Sequence, residues 1–327
     1  MCHLTHIKWR CTLNSTFPAG DSSLQSSPNR KRAVFLILMC EENLMKSTET
    51  ITPQSMSLHQ IACFWLLALV LLVYGPQAIA QVVEKGLVSY WSFDKVDVEG
   101  KIVKDRWGKN DGVSLGSPEQ VEGKVDEAFR FNGQGDAVDV ASPADGSLDF
   151  GDDKDFSMMA WIKLSTEPAL DGGQSTIISK GDGGNNARIL WKIKGKLVLV
   201  TLANEIAGGP KPDFTSKKEV VDGKWHHVVL VGERSKSTRI YIDGILDVEG
   251  PASKGCDVTT ESPLFIGASV RVGKKTRRHF LGLIDEVGIY NRVLSPAEIK
   301  RNMAAQGLTV RLLGKLAATW ANIKLDY

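Results

Sequence analysis

From Leu87 to Tyr290 the chain alternates short apolar runs with turn residues and never sustains a helical period, and this rhythm leaves few folds open. The runs read LVSYWSFD, EAFRFN, DAVDV, FSMMAWIKL, TIISK, ARILWKI, KLVLVTL, HHVVLVGE, TRIYIDG, LFIGAS and HFLGLIDEVGIY. Several alternate apolar and polar side chains, the pattern of a strand with one buried face. In IYIDGILDV, Asp243-Gly244 supplies the two residues of a type I′ hairpin turn, and Lys194-Gly195-Lys196 supplies a second tight connection. So many strands without helical segments between them exclude a parallel α/β sheet. They predict an all-β fold, two antiparallel sheets packed face to face as a sandwich. One short C-terminal helix is expected, because Ser295, Pro296 and Glu298 make a capping box with proline at the first helical position. Ile299 and Met303 then share its packing face and Gly307 ends it.

The N-terminal eighty residues lack this rhythm. Residues 1–60 read as an unstructured leader or a start placed too far upstream, with translation beginning at Met45 or Met56. Residues 61–80 resemble a secretory signal: the apolar core Ile61 to Tyr74, a break at Gly75-Pro76, and small residues Ala78 and Ala80 that place cleavage before Gln81. With Lys46 the only base between Met45 and Ile61, an uncleaved membrane anchor is the alternative. The sandwich is expected over residues 81–307. Residues 308–327 form a tail of mixed periodicity, read as an added strand or a docked extension.

Cys2, Cys11, Cys40 and Cys63 precede the expected cut, so only Cys256 remains and an exported domain must be stable without an internal disulfide. The charges balance, 40 Lys and Arg against 38 Asp and Glu. That balance argues against a general nucleic-acid binder.

Polar and aromatic residues within the runs carry the functional questions. Strand alternation puts Leu283, Asp285, Val287 and Ile289 on one face and Ile284, Glu286 and Tyr290 on the other. Asp285 then needs a partner, because a carboxylate among aliphatic side chains is costly unless paired, hydrogen-bonded or metal-bound. Trp91, Trp161, Trp191 and Trp225 read as core rings, with sugar stacking the alternative for Trp91, Trp161 and Trp225. Trp107, in the loop DRWGKNDG, is the ring expected to contact a ligand. His226 and His227 point to opposite faces and make no zinc pair, so one is expected to be buried and the other more exposed.

Several of these segments together resemble a known family: LVSYWSFD, EAFRFNGQGDAVDV, FSMMAWIKL, KWHHVVLV, IYIDG and LGLIDEVGIYNRVLSPAEI, in that order from Gly86 to Gly307. They are similar to the laminin G-like jelly-roll domains of the concanavalin A-like lectin and glucanase superfamily, bacterial secreted type. The resemblance implies a sandwich whose first and last strands lie side by side, and a binding or adhesion role, often for glycans and often with calcium. It also implies that FNGQGDAVDV and LIDEVG lie close together. Gly133, Gly135, Asp136 and Asp285 are then the candidate ligands of a structural calcium ion, which takes six to eight oxygens. The alternative is that Asp285 accepts backbone N–H bonds from the 133–136 turn without metal.

The expected function is that of a secreted, non-catalytic carbohydrate-binding module in the extracellular space or cell envelope. Its expected partners are a glycan or a cell-surface or extracellular protein, not nucleic acid. RVGKKTRR, with Arg271, Lys274, Lys275, Arg277 and Arg278, supplies basic groups for an acidic polysaccharide, and Trp107 an aromatic contact. The alternative is a structural or protein-adhesion domain. A glycoside hydrolase is the third choice: it needs two carboxylates about 5 Å apart, whereas Asp285 and Glu286 are expected on opposite faces and Asp247 and Glu249 have no third member.

Overall fold

The computed structural model describes residues 81–181, 188–203, 213–271 and 275–308, all within one compact unit, Ala78–Tyr327. The expected leader and signal segment, residues 1–80, Lys274 and residues 309–327 lie outside the described residues, as does the side chain of Arg271.

Nineteen strands follow in order among the described residues. The first seven are β1 (Leu87–Trp91), β2 (Val98–Glu99), β3 (Ile102–Val103), β4 (Gly112–Leu115), β5 (Glu119–Glu122), β6 (Glu127–Asn132) and β7 (Ala137–Val140). Next come β8 (Phe156–Lys163), β9 (Gln174–Lys180), β10 (Arg188–Lys194), β11 (Leu197–Ala203), β12 (Asp213–Glu219) and β13 (Trp225–Glu233). The last are β14 (Ser237–Ile242), β15 (Ile245–Gly250), β16 (Leu264–Ile266), β17 (Ser269–Arg271), β18 (Lys275–Arg277) and β19 (Leu281–Tyr290), followed by helix α1 (Pro296–Ala304).

Eight strands make one sheet, ordered β15-β14-β13-β8-β19-β6-β5 with β1 also on β19. Nine make the other, ordered β12-β11-β10-β9-β16-β7-β4-β3-β2, and β17 and β18 form a separate hairpin. All the pairings are antiparallel, and the first and last strands do pair, Leu87 opposite Tyr290 and Trp91 opposite Val287. The Asp243-Gly244 turn forms as expected, both residues at positive φ between Ile242 and Ile245. The capping box on Ser295 and Glu298 also forms.

The main core lies between the sheets, with Phe129, Phe131, Ile162 and Ile284 from the eight-stranded sheet and Val138, Ile178, Trp191 and Ile266 from the nine-stranded one. A second cluster lies on the outer side of the eight-stranded sheet under α1. There Ile299 and Leu294 join Tyr90, Met159, Val229, Val231, Tyr241 and Tyr290. Neighbouring β-branched and aromatic strand residues thus split between two cores, one on each side of the same sheet.

Simple alternation fails in β19. Ile284, Val287 and Ile289 all face the main core, while Tyr290 faces the second cluster. A bulge between Asp285 and Gly288, with Glu286 at φ 51°, inserts the extra residue that makes this possible. Strand β6 pairs with Leu281 to Ile284 and β1 with Val287 to Tyr290, so Asp285 and Glu286 stand where one partner gives way to the other.

The tryptophans separate as well. Trp91 and Trp191 are fully buried in the main core. Trp161 is buried on the outer face of β8, beside His227 and beneath the Lys124 ammonium, 4.4 Å from its ring centre. Trp225 is half-buried. Both histidines are buried, contrary to the expected split. His226 bridges the carboxylates of Asp243 (2.8 Å) and Asp222 (3.0 Å), and the hydrogen bond to Asp243 raises its pKa. Burial lowers that of His227 to about 4, so it is neutral.

Candidate functional site

The outer face of the eight-stranded sheet has three zones, two of them covered by a segment of the chain. Helix α1 covers the first. The turn between β5 and β6 folds over the second and closes it: the Lys124 and Val125 backbone N–H groups donate to Asp285 Oδ2 at 2.8 and 3.0 Å. The third zone is open.

In this open zone the pairing register lines up one row across four strands, Lys163 of β8, Leu283 of β19, Arg130 of β6 and Glu119 of β5. The next row pairs Leu281 with Asn132. Together with Ser117, Ser165 and Thr166 they line a shallow groove of about 570 Å³. Arg130 and Glu119 form an exposed ion pair at 2.8 Å. Lys163 lines the groove and has no ion-pair partner among the described residues. The floor is apolar at Leu281 and Leu283 and the rim carries hydroxyls, an amide and cations, a mixture suited to a polar ligand with carbon-rich faces. Gly282 lets β19 pass close to β8: its φ is 146°, and a Cβ there would lie 2.5 Å from the Lys163 carbonyl oxygen.

Asp136 is at this groove and Asp285 is not. The Asp136 carboxylate accepts from the Ser117 N–H (2.9 Å) and the Asn132 N–H (3.0 Å), tying β4, β5 and β6 together at the rim. Gly133 donates its N–H to the Phe280 carbonyl, and Gly133 and Gly135 both have positive φ, as a tight turn requires. Asp285 lies four residues along β19 from Leu281, the partner of Asn132. At the rise of a strand that is roughly 13 Å. The four candidate calcium ligands therefore do not converge on one point, and each carboxylate is held by backbone N–H groups of a different turn. Asp285 does accept backbone N–H bonds, from residues 124 and 125 rather than 133–136. Among the described residues no cluster of three His, Cys, Asp or Glu side chains is placed to hold an ion.

Asp285 and Glu286 are brought together where the sequence separated them. Both are buried, Asp285 fully, and the Tyr90 hydroxyl donates to the Glu286 carboxyl. Burial pushes the Asp285 pKa up to about 8, and burial with the neighbouring Asp285 raises that of Glu286 well above the carboxylate range. Among the described residues Asp285 Oδ1 and Glu286 Oε1 have no hydrogen-bond partner. This is a closed pair of carboxylic acids under the 123–125 turn, with no opening to the groove.

The two basic and aromatic ligand elements are likewise separated. The β17–β18 hairpin carries Lys275, Arg277 and Arg278 and runs through Phe280 into Leu281, so it stands at the groove end. The Arg278 N–H donates to Asp171, and Lys275 is exposed. Trp107 belongs to the connection from β3 to β4, which reaches β7 near Asp139, whereas the hairpin follows Ile266, opposite Val138 on a strand running the other way. The two elements leave opposite ends of the sandwich and form no joint site. Sequence spacing could not show this, because it depends on the direction in which β4 and β16 flank β7.

The sequence model of the concanavalin A-like lectin/glucanases superfamily matches residues 132–300, more than half of the chain. The chain belongs to this superfamily. A similar fold is found in the binding domain of Paraclostridial Mosquitocidal Protein 1, with a TM-score of 0.55 at 17% identity over 67% of this chain and 52% of that one. It is also found in the receptor binding domain of botulinum neurotoxin C/D mosaic serotype, with a TM-score of 0.52 at 15% identity over 68% of this chain and 51% of that one. A curated relative, Botulinum-like toxin eBoNT/J of Enterococcus sp. (strain 3G1_DIV0629), is 21% identical over 216 residues, 63% of this chain and 16% of the toxin. The chain thus spans about half the length of these solved structures and a smaller share of the toxin.

Proposed function

We propose that this protein is a secreted, non-catalytic binding module that recognises an acidic glycan in the groove at the hairpin end. The observation that carries this reading is the open row Lys163, Leu283 and Arg130 with the basic β17–β18 hairpin at the same end. Lys163 with Lys275 and Arg277 of the hairpin supplies counter-charges for sulfate or carboxylate groups, and the leucines a floor for ring carbons. Superfamily membership supports a binding role, as do the receptor-binding and binding domains of similar fold. The apolar segment Ile61 to Tyr74 with Ala78 and Ala80 supports secretion. Among the described residues no helix is long and apolar enough to cross a membrane. A hydrolase would need its carboxylates in an open cleft, and Asp285 and Glu286 are closed over.

A protein-adhesion role is the second reading. It draws on the exposed cross-strand pair Ile102 and Val113 with Val96 nearby, on the outer side of β3 and β4. A glycan array run with and without calcium, including sulfated and uronic-acid polymers, decides between them. The acidic-glycan reading expects binding that falls at least tenfold in a Lys163→Ala, Lys275→Ala, Arg277→Ala variant. Binding unchanged by that variant, or no glycan bound, puts protein adhesion first.

A further inference from the structure

We propose that the turn between β5 and β6, residues 123–126, is a lid that lifts as the acids beneath it lose their protons, lengthening the groove by one row. The lid is lightly fastened. Among the described residues its ties to the sheet are the Lys124 and Val125 N–H groups on Asp285 Oδ2, at 2.8 and 3.0 Å, and the Lys124 ammonium 4.4 Å from the centre of the Trp161 ring. The Gly123 N–H donates within the turn, to the Asp126 carbonyl, and Val125 belongs to none of the apolar clusters. Asp126 closes the turn in a left-handed conformation, φ 42°. The strands on either side are firm: Glu122 pairs with Glu127, whose N–H donates to Asp94 at 3.2 Å. A short segment fixed at both ends and held by few contacts between them opens at the least cost.

The groups it covers are poorly satisfied while covered. Among the described residues Asp285 Oδ1, Glu286 Oε1 and His227 Nδ1 have no hydrogen-bond partner, although these residues are only 0%, 4% and 1% exposed. Buried polar atoms are normally bonded. These three are also neighbours, since His227 stands opposite Trp161, Trp161 opposite Asp285, and Glu286 follows in the chain. A Cβ at Gly307 would lie 3.6 Å from both Glu286 Oε2 and Val125, so the segment after α1 shuts the far side. Lifting the lid admits water to the row.

Ionisation favours the open lid. A charge on Asp285 would strengthen the two bonds to Oδ2, but burial outweighs them, because the Asp285 pKa is still raised to about 8. Among the groups that face the pair, Asp94 opposes a further negative charge, and Arg106, which favours one, is already shared between Asp94 and Asp97. The Tyr90 and Tyr290 hydroxyls, raised by burial, and His227, lowered by it, stay neutral. Asp243, beside His227, is held by His226 and Lys218. Lys124 is the lid's own cation and leaves with it. Once open, the carboxyls return towards ordinary values near 4. Between pH 4 and 8 the opening equilibrium then rises by up to about tenfold per pH unit for each proton released.

The uncovered row adjoins the groove. Trp225, Lys163 and Leu283 form the open row across β13, β8 and β19, and His227, Trp161 and Asp285 lie two residues along the same strands, roughly 7 Å away. The Trp161 ring, released from Lys124, becomes the groove's new end wall. The lid is a property of this face of the sheet and does not depend on what the groove binds.

The test is hydrogen exchange of the ¹⁵N-labelled protein at pH 5, 6 and 7 without ligand, corrected for the intrinsic rate. The Trp161 indole signal is assigned by its loss in Trp161→Phe. The Lys124 and Val125 amides and the Trp161 indole are expected to exchange together, at least tenfold less protected than the β13 amides of Leu230 and Val231, which report global unfolding. Their protection should fall about fivefold to tenfold per pH unit and should not respond to 1 M urea, as befits a local opening. The Asp285→Asn, Glu286→Gln variant should lose the pH slope. Lys124→Ala, a change at an exposed residue, should raise opening at every pH and keep the slope. Lid amides as protected as those of β13, protection that does not change with pH in the wild type, or a slope retained in the double variant overturns the proposal. Because no ligand is present, failure of the groove to bind a glycan leaves the result intact.

Discussion

Asp285 and Glu286, consecutive in β19, turn to the same outer side of their sheet because Glu286 takes up a left-handed backbone conformation, φ 51°. The bulge keeps Ile284 and Val287 in the main core and delivers two carboxyl groups into one dry space with Tyr90. Among the described residues neither gains a cationic partner at hydrogen-bond distance; Arg106 instead pairs with Asp94 and Asp97, at 3.3 and 3.2 Å. The pair is therefore stable mainly as neutral acids.

The first prediction comes from this protonation. Asp285 has a folded pKa of about 8, raised by burial, against an unfolded value near 4. Between these values the folded state binds the extra proton, so the stabilisation is complete below about pH 4 and is lost as pH rises towards 8. Asp94, raised by burial to about 6, and His226, raised by its carboxylates, act in the same direction. The melting temperature should fall between pH 5 and pH 8, and Asp285→Asn, whose side-chain oxygen still accepts from Lys124 and Val125, should flatten that fall. Circular dichroism melts at one-unit intervals check this; equal slopes in both proteins would mean that Asp285 titrates normally.

Calcium gives the second prediction. Asp136 and Asp285 are each held by backbone N–H groups and lie on different turns. Adding a chelator should leave the melting temperature unchanged, since an ion that stabilises the fold by mass action needs a site in the folded state. A calcium-dependent rise abolished by Asp136→Asn and by Asp285→Asn alike would restore the shared site.

Some of this is legible in the sequence and some is not, for definable reasons. The Asp243-Gly244 hairpin and the Ser295 capping box are local, and each is set by a few adjacent residues. The pairing of β1 with β19 rests on a family resemblance. The bulge is not legible, because Glu286 is not a residue type that announces positive φ. The sequence points Asp285 to the wrong glycine-containing turn, since the choice between 123–125 and 133–136 depends on which end of β6 faces Asp285. Trp107 stands out as a ring in a polar loop, but the buried Asp105 carboxylate and Arg234 guanidinium do not. The Arg234 bonds join segments far apart in the chain, whereas the Asp105 carboxylate mostly serves its own loop, at residues 107, 108 and 110, and DRWGKND, with its carboxylate two residues before the ring, gives the hint.

Gly282 supplies a third prediction, at the groove. Its φ of 146° and the Lys163 carbonyl oxygen, 2.5 Å from where a Cβ would stand, leave no room for any side chain. Gly282→Ala should cost about 2 kcal/mol or more through backbone strain and the displaced β8–β19 register. Denaturant unfolding measures the loss, and a change under about 0.5 kcal/mol, the usual range of a neutral surface substitution, would show that the strand pair yields easily there.

The fourth concerns Arg234, whose guanidinium serves four carbonyls and the Ser253 hydroxyl and lies 5.3 Å from the Phe156 ring. Arg234→Met keeps much of the apolar stem but leaves those carbonyls buried without donors, a loss on the order of 3 kcal/mol. For a domain of this size that corresponds to a melting temperature lower by roughly 10 °C. Arg234→Lys keeps the charge but not the planar fork, so it can serve fewer carbonyls at once and should fall between the two. If Arg234→Met melts with the wild type, the carbonyls have found water. Residues 150–155 would then be placed by their own turns, and hydrogen exchange at Lys154 and Asp155 would stay slow in the variant. If the guanidinium is the lock, exchange there should quicken along with the loss of stability, because the N–H groups of that loop open when its carbonyls are released.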